Sequence, residues 1–138
     1  MGLQVDVRVD TTVTGETIRL AVPAALEYVR IVRLTASGVA SRLGFDVEEI
    51  EDLRVAVDEL ASLVVESADG GELGVQFAVR DDILRIEGEA LLAPGQSEVR
   101  VDDLTAQILA AVVDEWDFSA QDGHVRFACT RRVPEPTA

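Results

Sequence analysis

Apolar residues in this chain recur with two different periods, and the order in which those periods alternate limits the fold more than any other feature. Leu3, Val5, Val7 and Val9 alternate with polar residues, as do Ile18, Leu20 and Val22 beyond the Thr14-Gly15 turn region. That is the period of a strand with one buried face. Pro23 suits the first turn of a helix, where its missing N–H costs nothing. From there the spacing changes to three and four, through Val29, Val32, Ala36, Val39 and Leu43, with Gly44 as a stop. A second helix starts at Asp46, which with Glu49 three residues on makes a capping-box pattern. Ile50, Leu53, Val57, Leu60 and Val64 form its stripe, flanked by Ala56 and Leu63, and it should end near Ala68 before Asp69-Gly70-Gly71.

Period two then returns. Leu73, Val75, Phe77 and Val79 alternate, Asp81-Asp82 turns the chain, and Leu84 and Ile86 bring it back. Residues 91–100, with Pro94 and Gly95, read as a loop. Asp102 and Asp103 favour a helix start by charge–dipole attraction, and Leu104, Ile108, Ala111 and Val112 give that third helix its expected face. Trp116 and Phe118, an Asp122-Gly123 turn, and Val125, Phe127 and Cys129 predict a closing hairpin. The order β-β-α-α-β-β-α-β-β is that of an α+β fold, with helices on one face of a mostly antiparallel sheet. At 138 residues the chain is expected to hold a single domain over 1–133, with 134–138 as a flexible tail.

Charge and residue usage remove several chemistries. Acidic residues number 26 against 12 basic, a net charge of −14, so a nucleic acid or an anionic membrane surface would repel the chain. All 12 basic residues are Arg. Without Lys there is no P-loop Lys, no Schiff base and no Lys general base. His124 and Cys129 are single copies five residues apart, with no second pair to complete a tetrahedral metal site, and read as a turn-edge His and a core Cys. One Cys closes no disulfide within the chain, and no apolar run approaches the ~18 residues of a membrane span. Nothing at the start reads as a signal peptide, and the expected location is cytoplasmic.

The most informative stretch is Glu51 to Ala68, which contains the run Asp52-Leu53-Arg54-Val55-Ala56-Val57-Asp58-Glu59. Together with residues 22–29 and 33–42 it resembles the RsbW/SpoIIAB anti-sigma factors, small serine kinases of the Bergerat (GHKL) ATPase superfamily. The resemblance is densest over 17–68 and continues to Arg132 through the order of elements; residues 1–16 read as an extra leading strand and turn. Degenerate actinobacterial members of the UsfX type are more similar still, since they share that Asp-to-Glu run. The resemblance implies a Bergerat two-layer sandwich with a mixed, mostly antiparallel sheet. It also implies three ATP elements, and the sequence departs from each. The first places a Glu and a Mg²⁺-holding Asn one helical turn apart; Glu59 matches the Glu, but Leu63 stands at the Asn, and a hydrocarbon cannot coordinate a hard cation. The second, Asp-x-Gly-x-Gly, has Ala90 at its Asp and Leu92 at its first Gly. The third, a glycine-rich lid, falls in 91–103, where Gly95 is the one glycine.

These departures imply a vestigial Glu59, no catalytic residue, and neither nucleotide nor metal as cofactor. In the family the start of the first long helix contributes to the partner surface, which here nominates Glu27, Arg30 and Arg33. The expected function is therefore an anti-sigma factor that sequesters an alternative sigma factor without phosphorylating anything. The alternative is an ATP-dependent serine kinase of a STAS-domain antagonist. Such an antagonist is then a second partner, and a homodimer is left open.

Overall fold

A computed structural model describes residues 4–12, 15–96 and 98–135. Strands β1 (Asp6–Thr12) and β2 (Gly15–Pro23) lead into two long helices, α1 (Leu26–Arg42) and α2 (Val47–Ser67). The hairpin β3 (Glu72–Arg80) and β4 (Ile83–Leu91) follows, then α3 (Asp103–Val112), then the hairpin β5 (Glu115–Gln121) and β6 (His124–Arg132). Element for element this is the expected α+β order. Leu3 and residues 13–14 of the first turn lie outside the described residues, as do 136–138 of the expected tail.

The strands form one sheet in the order β1-β2-β3-β4-β6-β5. Every neighbouring pair is antiparallel, so the mixed pairing that the resemblance implied is not found among the described strands. The connections explain this. A helix pair between β2 and β3 returns the chain for an antiparallel neighbour. Helix α3 carries the chain from β4 to a strand of the same direction, but β6 lies between the two. Both short hairpins turn on two positive-φ residues, Asp81 and Asp82 at 52° and 61°, and Asp122 and Gly123 at 54° and 76°. That backbone matches the right-handed twist of the strands it joins.

All three helices cover one face of the sheet. Leu20, Phe77, Ile86 and Phe127 from the strands meet Val32, Leu53, Val57 and Leu60 from the helices in one core. Gly88 belongs to it for a steric reason, since a Cβ there would lie 2.1 Å from Cε2 of the buried Phe127 ring.

Three expectations are corrected. Pro23 ends β2 opposite Glu72 instead of opening the helix; Ala25 N–H donates to the Pro23 carbonyl at 2.8 Å, and α1 starts at Leu26. A strand end needs no N–H from Pro, so the position suits it equally. On α3 the side chain in the core is Leu109, while Leu104 and Ala111 are exposed and Ile108 and Val112 half-buried. The helix is apolar nearly all round, so packing against α2 and β5, not periodicity, chooses its inner side. On β1 the alternation does not mark a buried face: Val5, Val7 and Val9 are 43%, 57% and 61% exposed. Val7 opposes Leu20 and Val9 opposes Ile18, which puts them on the helix side, but α1 packs over β2 and β3 and leaves β1 overhanging.

Candidate functional site

Helix α2 positions the candidate site. Its start is fixed by the complete capping box: Asp46 accepts from the Glu49 N–H at 2.8 Å, and Glu49 accepts from the Asp46 N–H at 2.9 Å. With Leu53, Val57, Leu60 and Val64 buried, the helix presents one flank to α1 and the other to α3. On the α1 flank, Arg33 Nη1 donates to Asp58 Oδ1 at 2.9 Å, and Arg33 Nε is buried without a partner.

On the α3 flank, Arg131 Nη1 donates to Asp52 Oδ2 at 2.9 Å and to the Val112 carbonyl at 2.7 Å, tying β6, α2 and the end of α3 together. Glu59 lies two turns beyond Asp52 on the same flank. It is half-buried, and its side chain makes no hydrogen bond or ion pair among the described residues. Leu63, one turn further, is half-buried. Beyond Asp52, which Arg131 engages, the flank thus offers the Glu59 carboxylate followed one turn on by hydrocarbon.

The segment after β4 closes over the end of this flank. Ala93 N–H donates to the Ser67 carbonyl at 3.0 Å, Asp69 N–H to the Leu91 carbonyl at 3.0 Å, and Leu92 N–H to the Gly123 carbonyl at 2.9 Å. Ala68 and Leu92 form an isolated antiparallel bridge. Ala90 is buried in the core, and Leu92, Val99 and Val101 pack against it. Residues 91–93 are therefore pinned between the end of α2 and the β5–β6 turn, with Leu92 packed inward and Leu91 exposed. A concavity of about 600 Å³ lies elsewhere, on the open face of the sheet, lined by Arg8, Arg19, Gln76, Glu87, Glu89 and Arg126 among others.

At the start of α1, Glu27 and Arg30 are exposed and neither forms an ion pair among the described residues. Arg33, nominated with them, sits instead in the seam with α2. Leu26 and Leu34, 55% and 59% exposed, share the outer side of the helix with Arg30 and were missed by sequence reasoning. Their signal was present, because both fall off the three–four stripe of that helix.

Cys129 is buried, and burial pushes its thiol up to about 12, which leaves it protonated and unreactive at neutral pH. His124 Nδ1 lies 3.1 Å from the Asp122 carbonyl and Nε2 3.4 Å from Glu89. Among the described residues no three His, Cys, Asp or Glu side chains group as a metal site, and no helix is long and apolar enough to cross a membrane.

Residues 22–123 match the family model of the histidine kinase-like ATPase domain. The chain belongs to that family. Within the family it is similar to the serine-protein kinase RsbW of Bacillus pumilus (strain SAFR-032), 49% identical over 79 residues that cover 53% of this chain and 49% of the relative. It is also similar to the serine-protein kinase RsbW of Bacillus subtilis (strain 168), 47% identical over 73 residues, 50% of this chain and 46% of that one. The matched stretch thus spans about half the length of these curated relatives. A solved structure of the RsbU and RsbW domains of Rv1364c from Mycobacterium tuberculosis superposes with a TM-score of 0.66 at 21% identity, covering 86% of this chain and 33% of that one. That likeness bears on the fold, and the RsbW-type resemblance read from the run around Glu59 agrees with it.

Proposed function

We propose that the chain is an anti-sigma factor that holds an alternative sigma factor by protein–protein contact, without binding ATP and without kinase activity. The observation that carries the reading is Leu63, one turn after Glu59 on the α3 flank of α2, where the family's Mg²⁺-holding Asn is expected. Carbon cannot replace an oxygen ligand of Mg²⁺. Two further features support it. Ala90, at the position of the Asp that receives the adenine amino group, has no acceptor and is buried. Leu92, Val99 and Val101 pack inward where a glycine-rich lid would leave backbone N–H groups free for phosphates. The residues present do not fit a nucleotide. Glu59 is then a remnant.

The partner surface in this reading is the outer side of α1, where Glu27 and Arg30 stand beside exposed Leu26 and Leu34. Apolar anchors beside an Arg are the composition of an interface centre. A charge of −14 speeds encounter with the basic surfaces by which sigma factors meet DNA, and such a partner places the chain in the cytoplasm. The resemblance to UsfX-type members belongs to this reading as well.

The names of the curated relatives and the retained Glu59 favour a second reading, a serine kinase acting on a STAS-domain antagonist. Calorimetric titration with ATP and Mg²⁺ separates the two: no binding is expected, and a micromolar dissociation constant would establish the second reading in its place. The partner is tested by co-purification from the native cell. Arg30→Glu should weaken the sigma complex tenfold or more, about 1.4 kcal/mol, at an unchanged melting temperature. An unchanged complex moves the interface off α1.

A further inference from the structure

We propose that β5 is a docking edge for an extended basic segment of a partner protein, which joins the sheet as a further antiparallel strand. Arg or Lys side chains of that segment face Glu115 and Asp117 on the open side, and its apolar side chains lie beside Trp116 and Phe118 on the helix side. The strand ends the sheet, so its outer row of N–H and C=O groups meets no strand among the described residues. Addition of a peptide strand to such a row draws affinity from main-chain hydrogen bonds and specificity from alternate side chains. The surface is separate from the outer side of α1, so the proposal does not depend on what binds there.

The helix side of β5 is short of cover. Trp116 stands opposite Cys129 and Phe118 opposite Phe127, which places both rings on the side of the core. Along β4, inside the sheet, every helix-side residue from Leu84 to Ala90 is buried. On β5 the corresponding Trp116, Phe118 and Ala120 are only half-buried, although the two rings pack against the core. Helix α3 packs against β5 and β6 pairs with its inner edge, so the flank left open is the outer one. A strand added about 4.8 Å beyond β5 brings its own helix-side residues against that flank. Partly exposed aromatic rings of this kind are the anchors that a docking segment buries.

Charge selects the occupant. On its open side β5 carries Glu115 and Asp117, and the strand holds no basic residue. Their neighbours on β6 are Thr130 and Ala128, and neither carboxylate makes an ion pair among the described residues. The opposite edge differs, since Asp6 and Arg8 of β1 pair with each other at 3.1 Å. Acidic residues two apart on one face of an edge strand match cations at the same spacing directly opposite, where unlike charges stabilise and like charges destabilise. A second copy of β5 cannot supply them in any register, because its charges are acidic too. The edge is thereby closed to self-pairing and open to a basic strand. The net charge of −14 hastens the encounter with such a segment.

Trp116 is the one tryptophan of the chain and reports directly on the site. The test is a fluorescence titration of the full chain with an end-capped peptide in which Val alternates with Arg, matched to the seven residues of β5. Binding should shift the Trp116 emission to shorter wavelength, as the added strand excludes water from the ring. The same peptide with Glu in place of Arg should bind about tenfold more weakly, ~1.4 kcal/mol. Two N-methylated forms of the Arg peptide, one methylated at the Val amides and one at the Arg amides, should differ. Strand addition uses one row of amides, so one form should lose binding and the other keep it. The variant Glu115→Gln with Asp117→Asn, its fold checked by circular dichroism, should bind the Arg and Glu peptides alike. Glu115→Arg with Asp117→Arg should prefer the Glu peptide. An emission unmoved by the Arg peptide overturns the proposal. So does equal binding of the two methylated forms, or a preference for Arg that survives in the neutral variant, which puts the peptide elsewhere on the acidic surface.

Discussion

The helix pair α1–α2 and the segment joining β4 to α3 lie against each other, yet they are held in different ways. The helices are fixed by side chains: the Asp46–Glu49 box, the Arg33–Asp58 pair, and a buried stripe that runs the length of α2. The segment from Leu92 to Val101 is fixed by backbone hydrogen bonds to Ser67 and Gly123 and by three half-buried apolar side chains. Backbone bonds ask little of residue identity. A region anchored that way can lose glycines and polar ligands without losing its place, whereas the helices tolerate few changes.

The comparison breaks most visibly in the core. Leu60→Ala, at a position with no solvent exposure, should cost 2–5 kcal/mol of unfolding free energy in urea, the range for a buried leucine that leaves a cavity. Val99→Ala in the segment should cost less than about 1 kcal/mol, because its surroundings are half solvent. Equal costs would mean that the segment is as much a part of the core as α2.

Next in size is the cap. Asp46→Ala removes the acceptor for the Glu49 N–H and should lower stability by about 1 kcal/mol, read as a shift in the urea midpoint at constant slope. Smaller again is the seam between the helices. A double-mutant cycle on Arg33→Gln and Asp58→Asn should give a coupling of roughly 0.2–1 kcal/mol, since both side chains remain partly in water. A coupling near zero would return Arg33 to the candidate partner surface from which the structure separates it.

Much of this arrangement was legible in the sequence, for reasons that differ by region. The capping box of α2 is a local pattern four residues long, and local patterns survive into three dimensions. The Asp81-Asp82 and Asp122-Gly123 turns were legible because few residues accept two successive positive φ values. The inner side of α3 was not: its residues are nearly all apolar, and the choice of Leu109 belongs to α2 and β5. Nor was the exposure of Val5, Val7 and Val9, because alternation reports which residues share a face and not whether a helix covers it. At the candidate site, Leu63 and Glu59 could be placed on one flank by helical phase alone. The seam that claims Arg33 could not, because Asp58 is 25 residues away and the contact depends on how two helices lie together.

The smallest effect sharpens the comparison, because it concerns the one side-chain lock at the end of the weaker region. Asp102 accepts from the Thr105 N–H at 2.7 Å, capping α3. That hydrogen bond favours the ionised form and holds the Asp102 carboxyl below its ordinary value of 3.8. A carboxyl depressed in the folded state stabilises that state fully above its unfolded value, and the contribution fades as pH falls past 3.8 toward the lower folded value. The carboxyl is exposed, so the loss should be local, a fraying of the first turn of α3. Protection of the Thr105 amide against hydrogen exchange should therefore fall with acid at a midpoint below 3.8. Asp102→Asn keeps an acceptor that does not titrate, so it should abolish the acid response while retaining protection. An unchanged acid response in Asp102→Asn would show that α3 is held at its start by the backbone alone, like the segment before it.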